Sequence, residues 1–303
     1  MKKINIIRKD LKKNYVVYLM LLPVMVYYIA FCYKPMYGMI IAFQDYNPSL
    51  GISGSKWVGL KHFYDFFNSF YFARILTNTL RISLSTLLFS FPAPIILALL
   101  INELRSARFA KAVQTVSYLP HFISIVVICG MIKEFTLEDG IINDVLAFFG
   151  VARQNYLLNK DAFVPIYVLS GIWQSIGWGS IVYLAALSGV DEQLYEAAVI
   201  DGAGRWQMIW KITIPSILPT IFVMLILQIG NMLNVGYEKI ILLYNSTTYE
   251  TADVISSFTY RKGLQEFNWS YSTAVGCFNS VINFLLLFTS NTLSKKFNDV
   301  SLW

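Results

Sequence analysis

Charge is what this chain is shortest of. Only 14% of its 303 residues are Asp, Glu, Lys or Arg, against about 25% in a soluble domain. That is too little polar cover for a surface facing water all round. Histidine and cysteine are scarcer still, at two and three residues. His62 and His121 form no H-E-x-x-H, and Cys32, Cys129 and Cys277 lie in apolar stretches without metal-type spacing. The cysteines read as free, buried thiols, and no metal ligands are expected. No G-x-x-x-x-G-K-[S/T] occurs, so a P-loop ATPase is excluded from this chain. No acidic residue lies near the middle of an apolar run, which argues against a secondary transporter driven through buried carboxylates. Inverted repeats are not visible either. Paired carboxylates within one run are also missing, which leaves a membrane-embedded enzyme without catalytic candidates.

Apolar residues supply what is there, at 56% of the chain. They gather in six runs: Tyr15–Tyr33, about Thr79–Ile101, Thr115–Ile132, Val164–Leu187, Ser216–Val235 and Thr273–Leu293. Each is near the ~20 residues that cross about 30 Å of hydrocarbon. The expected fold is an all-α integral membrane protein with six transmembrane helices. The first run is longer than a signal-peptide core and lacks a small-x-small cleavage site, so it reads as an uncleaved span. Phe31 is too bulky for the residue before an acylated Cys32.

Threading follows from basic residues. Met1–Asn14, 102–114, 188–215 and 294–303 hold 13 Lys/Arg in about 65 residues. The opposite side holds 10 over more than 100 residues. Six of the 13 (Lys2, Lys3, Arg8, Lys9, Lys12, Lys13) precede the first run, an anchor for an anionic cytoplasmic leaflet rather than for nucleic acid. Both termini are expected in the cytoplasm of a multi-pass membrane protein. Residues 1–71 comprise the basic segment, first span and first outer loop; 72–293 form the core with spans two to six; 294–303 form a tail. The chain reads as one integral domain.

One segment, "EAAVIDGAGRWQMIWKITIP" from Glu196 to Pro215, interrupts the apolar pattern. Burying its charges and those just before it would cost on the order of 15 kcal/mol, so it stays in water. Ser188-Gly-Val-Asp191 offers a capping-box start, and Leu194, Ala197 and Ala198 recur at helical spacing. Gly202-Ala203-Gly204 breaks that helix. A second helix follows, with Trp206, Ile209, Trp210 and Thr213 expected on one face and Pro215 marking entry to the fifth span. An interfacial loop with tryptophans at headgroup level would explain the aromatic residues. It would not explain two alanines beside an exposed glutamate and a glycine hinge, a combination that admits a close partner.

Glu196-Ala197-Ala198, three residues, Gly202, nine residues, then Ile212-Thr213-Ile214-Pro215 resembles the EAA loop of permease subunits of bacterial binding-protein-dependent ABC importers. Ile214 stands where leucine is usual. "WVGLKHF" (Trp57–Phe63) and "YLPHFIS" (Tyr118–Ser124) resemble the subgroup that imports oligosaccharides or polysaccharide fragments. The resemblance implies a non-catalytic permease of a carbohydrate importer. Its EAA loop, between spans four and five, would dock a separate cytoplasmic ATPase dimer through Glu196, Ala197, Ala198, Asp201, Gly202, Ile212 and Pro215. It also implies that ATP and Mg belong to the ATPase and that this chain holds no cofactor. The other partners implied are a second permease subunit in a heterodimer, an extracytoplasmic sugar-binding protein and membrane lipid.

Polar and aromatic residues within the spans are the candidates for a sugar pathway, since hydroxyls need amide-type partners and ring faces need aromatics. They are Trp173, Gln174 and Trp178 in span four, Gln228, Asn231 and Asn234 as a stripe in span five, and Asn279 and Asn283 in span six. Amide hydrogen bonding between packed helices is the competing use. Arg81 in span two is charged but has the option of snorkelling, and His121 reads as structural. An ion-coupled transporter of a small polar solute is the alternative function.

Overall fold

The computed structural model describes residues 13–298 and 301–302. Of the N-terminal basic cluster, Lys2, Lys3, Arg8, Lys9 and Lys12 lie outside these residues. The described chain divides into two compact units rather than one. One runs to Phe67 and takes in Lys262–Cys277; the other comprises Asn68–Arg261 and the chain from Phe278.

In the first unit, helix α1 covers Tyr15–Phe43, ten residues beyond the expected end at Tyr33. Pro23 and Pro35 both lie inside it, and a π turn at Tyr28–Tyr33 precedes Pro35, the local widening that accommodates a residue unable to donate. No residue in the apolar window of α1 is buried, and Cys32 is exposed, not buried as expected. Two short antiparallel strands follow, β1 (Gln44–Asp45) and β2 (Lys56–Trp57). The Trp57–Phe63 stretch works as a clasp on them. Trp57 stacks on Phe43 with ring centres 5.7 Å apart. The Val58 and Gly59 amides donate to the Phe43 carbonyl, and the buried His62 ring meets the Gln44 carbonyl at 3.0 Å.

The second unit is built on helices α2 (Phe72–Asn102), α3 (Ala107–Tyr118), α4 (Ile125–Phe135), α5 (Phe163–Leu187), α6 (Glu192–Ile200) and α7 (Arg205–Gly230). Shorter helices α8 (Tyr237–Leu243) and α9 (Ile255–Tyr260) lead toward α10 (Trp269–Asn298), which runs on from the first unit. By length and apolarity, four described helices suffice to cross a membrane (α1, α2, α7, α10), or five if α3 and α4 count as one broken span. Helix α5 is 25 residues long, but the glycines, serines and Gln174 of Ser170–Ser180 dilute its apolarity.

The third run is not continuous. Helix α3 and the turn after it meet α4 at 98°. Pro120 removes a donor, Ile123 is extended at ψ 133°, and the Ser124 hydroxyl caps α4 by accepting from Val127 N–H. The bend is wedged against α5 at Gly177: a Cβ there would overlap the Ser117 carbonyl and come within 2.8 Å of the Tyr118 nitrogen. His121 then stacks on Trp178, centroids 4.5 Å apart and planes nearly parallel, in keeping with a structural histidine. Buried Ile82, Cys129, Phe163, Val235, Ile240 and Val254 form the main core. Ala98, Tyr183, Leu187 and Ile217 form a second. Since lipid tails are as apolar as leucine, such packing stabilises through close van der Waals fit more than through removal from water.

Candidate functional site

Two features of the second unit stand out: the loop that carries the sequence motif, and a polar tract between helices. In the loop, Asp191 rather than Ser188 caps α6, accepting from Gln193 N–H at 3.0 Å. Ser188 instead ends α5, its hydroxyl turned back to the Ala185 carbonyl. A carboxylate at this cap also suits the positive end of the helix. The far end closes as the glycines predict. Gly202 has φ +76°, its amide donates to Val199, and the Ala203 amide reaches back to Ala198 at 2.9 Å. These two bonds form a Schellman closure.

The second helix departs from expectation. It runs unbroken from Arg205 to Gly230, so Pro215 lies within it rather than at its start. A π turn at Ile209–Thr213 precedes Pro215, the local adjustment that frees carbonyls where proline cannot donate. The wider turn also rotates the side chains: Trp206 and Trp210 are exposed, whereas Thr213 is buried. Thr213 Oγ1 meets the Tyr195 hydroxyl at 2.9 Å, tying α6 to α7. Glu196, Ala197, Asp201, Gly202 and Pro215 are exposed, and Ala198 and Ile212 half-buried. Val199 and Ile200 beside them are also exposed, Ile200 to 85%. That is a large apolar side chain left in water by a segment too charged for lipid.

The polar tract begins where α7 ends, before Asn231, because Asn231–Asn234 leave the helix in a turn. Gln228, Asn231 and Asn234 therefore do not form a helical stripe. The turn nevertheless gathers all three around a small cavity of about 90 Å³, with Ser83 and Thr86 of α2 opposite. Asn234 Oδ1 accepts from Asn279 at 2.8 Å and from Asn283 at 3.0 Å. Asn283 Oδ1 in turn accepts the buried Leu233 amide at 3.1 Å. Asn231 Oδ1 accepts from Asn234 Nδ2 at 3.2 Å, so the four asparagines form one network, and part of it is the amide hydrogen bonding between helices that competes with a pathway role.

Gln228, Thr86 and Tyr167 also line a neighbouring cavity of about 400 Å³, together with Gln174, Trp178 and Lys239. Trp173, on the other side of α5, lines an apolar crevice with Ile128, Ile132 and Leu146 instead. Arg81 is exposed. Sequence reasoning passed over two residues here. Thr86, an unremarkable threonine in an apolar run, has a buried hydroxyl with no partner. Lys239 lies in what reads as an outer loop, and its burial to 7% exposure had no signal beyond the apolar run Ile240–Leu243 after it.

Comparisons with known proteins agree with the motif. Residues 83–298 match the family described as "Binding-protein-dependent transport system inner membrane component". The chain is 46% identical over 303 residues to the Polygalacturonan/rhamnogalacturonan transport system permease protein YteP of Bacillus subtilis (strain 168), covering 100% of this chain and 94% of that protein. It is similar to a chain of a bacterial ABC transporter involved in the import of the acidic polysaccharide alginate (46% identity, TM-score 0.88, 96% of this chain and 99% of that one). A bacterial alginate ABC transporter in complex with alginate pentasaccharide-bound periplasmic protein matches equally well (45% identity, TM-score 0.89, 97% and 99%). The motif spacing, the helical architecture and the match over most of the chain converge: this chain belongs to the inner membrane components of binding-protein-dependent transport systems, the permease family.

Proposed function

We propose that the chain is the permease subunit of an ATP-driven importer of acidic oligosaccharides. It crosses the membrane six times, with α5 and the broken α3–α4 pair completing the four long apolar helices, and with both termini in the cytoplasm. The exposed apolar window of α1 faces lipid. Polygalacturonan and alginate are polymers of uronic acids, so the substrate class follows from the relatives' names. Gln174, Trp178, Gln228 and the asparagine network line the path.

The observation that carries the reading is the exposed face of α6 and its turn. Glu196, Ala197, Val199 and Ile200 are presented to water by a helix fixed at both ends, by the Asp191 cap and the Gly202 closure. A rigid, half-apolar helix of this kind suits a cleft on a soluble ATPase, which would hold ATP and Mg and hydrolyse the nucleotide. A second permease subunit, forming a heterodimer, completes the pore, and an extracytoplasmic binding protein delivers the sugar. The test is affinity purification of tagged chain from native membranes, with co-purifying proteins identified by mass spectrometry. A Walker-motif ATPase should co-purify with wild type and be lost in Glu196→Lys. Normal assembly and uptake in that variant would refute the docking assignment.

A further inference from the structure

Lys239 is the one charged side chain lining either polar cavity among the described residues. Its ammonium donates to the Tyr167 carbonyl at 2.9 Å and lies 4.6 Å from the centre of the Tyr167 ring. An ammonium carries three N–H groups, and no carboxylate of the described chain comes within ion-pair distance of it. The contrast with Arg261 in the same unit is direct. That half-buried guanidinium is held by both oxygens of fully buried Asp253, at 3.2 and 2.8 Å. Arg261 thus has a carboxylate partner, and Lys239 has none.

A buried cation without a counter-charge is costly to keep. Burial lowers the Lys239 pKa to about 8, which still leaves it mostly protonated at neutral pH. The surroundings favour a visiting anion. Gly171 bears no side chain over the ammonium; a Cβ there would lie 3.5 Å from Nζ. Gln174, Gln228 and the unpartnered Thr86 hydroxyl line the same cavity, offering partners for sugar hydroxyls. Its volume of about 400 Å³ falls within the usual range of small-ligand sites.

We infer that Lys239 is the specificity-determining residue of the pathway: its ammonium pairs with a carboxylate of the passing oligosaccharide and so selects uronic-acid chains over neutral ones. This rests on the importer reading above. A single point charge suits transit better than a bidentate arginine fork, because the cargo must also leave.

The test is equilibrium binding of a radiolabelled galacturonic acid trimer, and of its carboxyl-reduced neutral counterpart, to the purified permease–ATPase assembly without binding protein. Wild type should prefer the acidic trimer by about tenfold or more, the scale of one charge-assisted hydrogen bond. Lys239→Gln should bind the two alike, and Lys239→Arg should keep the preference. A second measurement needs no variant: the wild-type preference should fall as pH rises through about 8, the substrate carboxylates staying ionised throughout. The titratable groups that share the cavity with Lys239 or act on it are Tyr167 and Tyr183 of α5 and Cys129 of α4. If wild type discriminates but Lys239→Gln does so equally, Lys239 is not the selector, and the importer reading stands. Equal binding of both sugars by wild type would overturn the acidic-substrate reading and this inference together. Binding of neither would remove the cavity from the sugar path, and the inference with it.

Discussion

The two glycines of the loop between α6 and α7 allow a paired test of how α6 is held. Both have open space where a Cβ would stand, so sterics with neighbours do not enter. Only Gly202 has positive φ, at +76°, while Gly204 is extended at φ −76°, ψ 164°. Placing an L-residue in the left-handed region costs about 1–2 kcal/mol. Alanine in place of glycine also restricts the unfolded chain, which returns roughly 0.4–1 kcal/mol at a compatible site. Gly202→Ala should therefore weaken the turn by about 1 kcal/mol, or roughly fivefold in its opening equilibrium. At Gly204 the same entropic gain is offset by the poorer N-cap that alanine makes for α7, and the net change is about zero. Hydrogen–deuterium exchange of the detergent-solubilised protein reads this directly at the Ala203 amide, which donates to Ala198, and at the last amides of α6. Gly202→Ala should speed exchange there about fivefold, and Gly204→Ala should leave it unchanged. Equal acceleration in both variants would refute the argument, because it would mean that loss of glycine, not the sign of φ, controls the turn.

Other perturbations follow from the same geometry. Gly177→Ala places a Cβ against the Ser117 carbonyl and Tyr118 nitrogen, neither of which can yield as a side chain would; thermal stability in detergent should fall sharply, more than for Gly179→Ala, whose Cβ meets only the Pro94 ring at 3.0 Å. Asp253→Asn removes the counter-charge of Arg261 and replaces the oxygen that accepts from its second guanidinium nitrogen with an amide donor, with an expected loss of about 3 kcal/mol or more in a denaturation midpoint assay. Asn283→Leu strands the buried Leu233 amide and should cost about 1–3 kcal/mol. Tyr195→Phe loses the bond to Thr213; a drop of about 1 kcal/mol should appear as faster exchange in α6 with α7 unaffected.

The motif and the apolar runs were legible because each rests on a local rule. Spacing fixed Glu196, Ala197, Ala198 and Gly202 on one helix and its stop, and Gly202 does take the left-handed conformation. What was not legible depends on partners distant in sequence. The break between α3 and α4 looked like one apolar run, because Pro120 is tolerated in many membrane helices. Only the approach of Gly177 to that backbone shows why the chain turns there. The stripe of Gln228, Asn231 and Asn234 failed for a similar reason. Their spacing of three suits a helix, yet α7 stops at Gly230, where a Cβ would stand 2.6 Å from the Leu287 side chain. Helix propensity could not anticipate that the turn after α7 is held by Asn283, fifty residues away, accepting the Leu233 amide. Lys239 was hidden by a rule that usually serves well: charged residues between apolar runs belong to loops in water. Trp173 and Gln174 were grouped because they are adjacent, whereas neighbours on a helix point about 100° apart and here reach separate cavities.

The two features of the second unit lie on one element. Helix α7 starts with Arg205 just after the glycine turn that ends α6, and carries Gln228, on the cavity wall, in its last turn. At 1.5 Å per residue the separation is about 35 Å along the axis. Two prolines and a π turn fall between, any of which could have made a hinge. The helix instead stays continuous, with Thr213 and Ile217 buried on either side of Pro215, so a force at the turn reaches the cavity as rigid-body motion of one rod. A spin-label pair at Gln207 and Leu227 should then keep a constant distance between nucleotide-free and ATP-bound assemblies, while distances from either label to α2 change. Shortening of the Gln207–Leu227 distance by several ångströms on ATP binding would place the hinge within α7, at Pro215 or Pro219, and refute transmission by an unbroken helix.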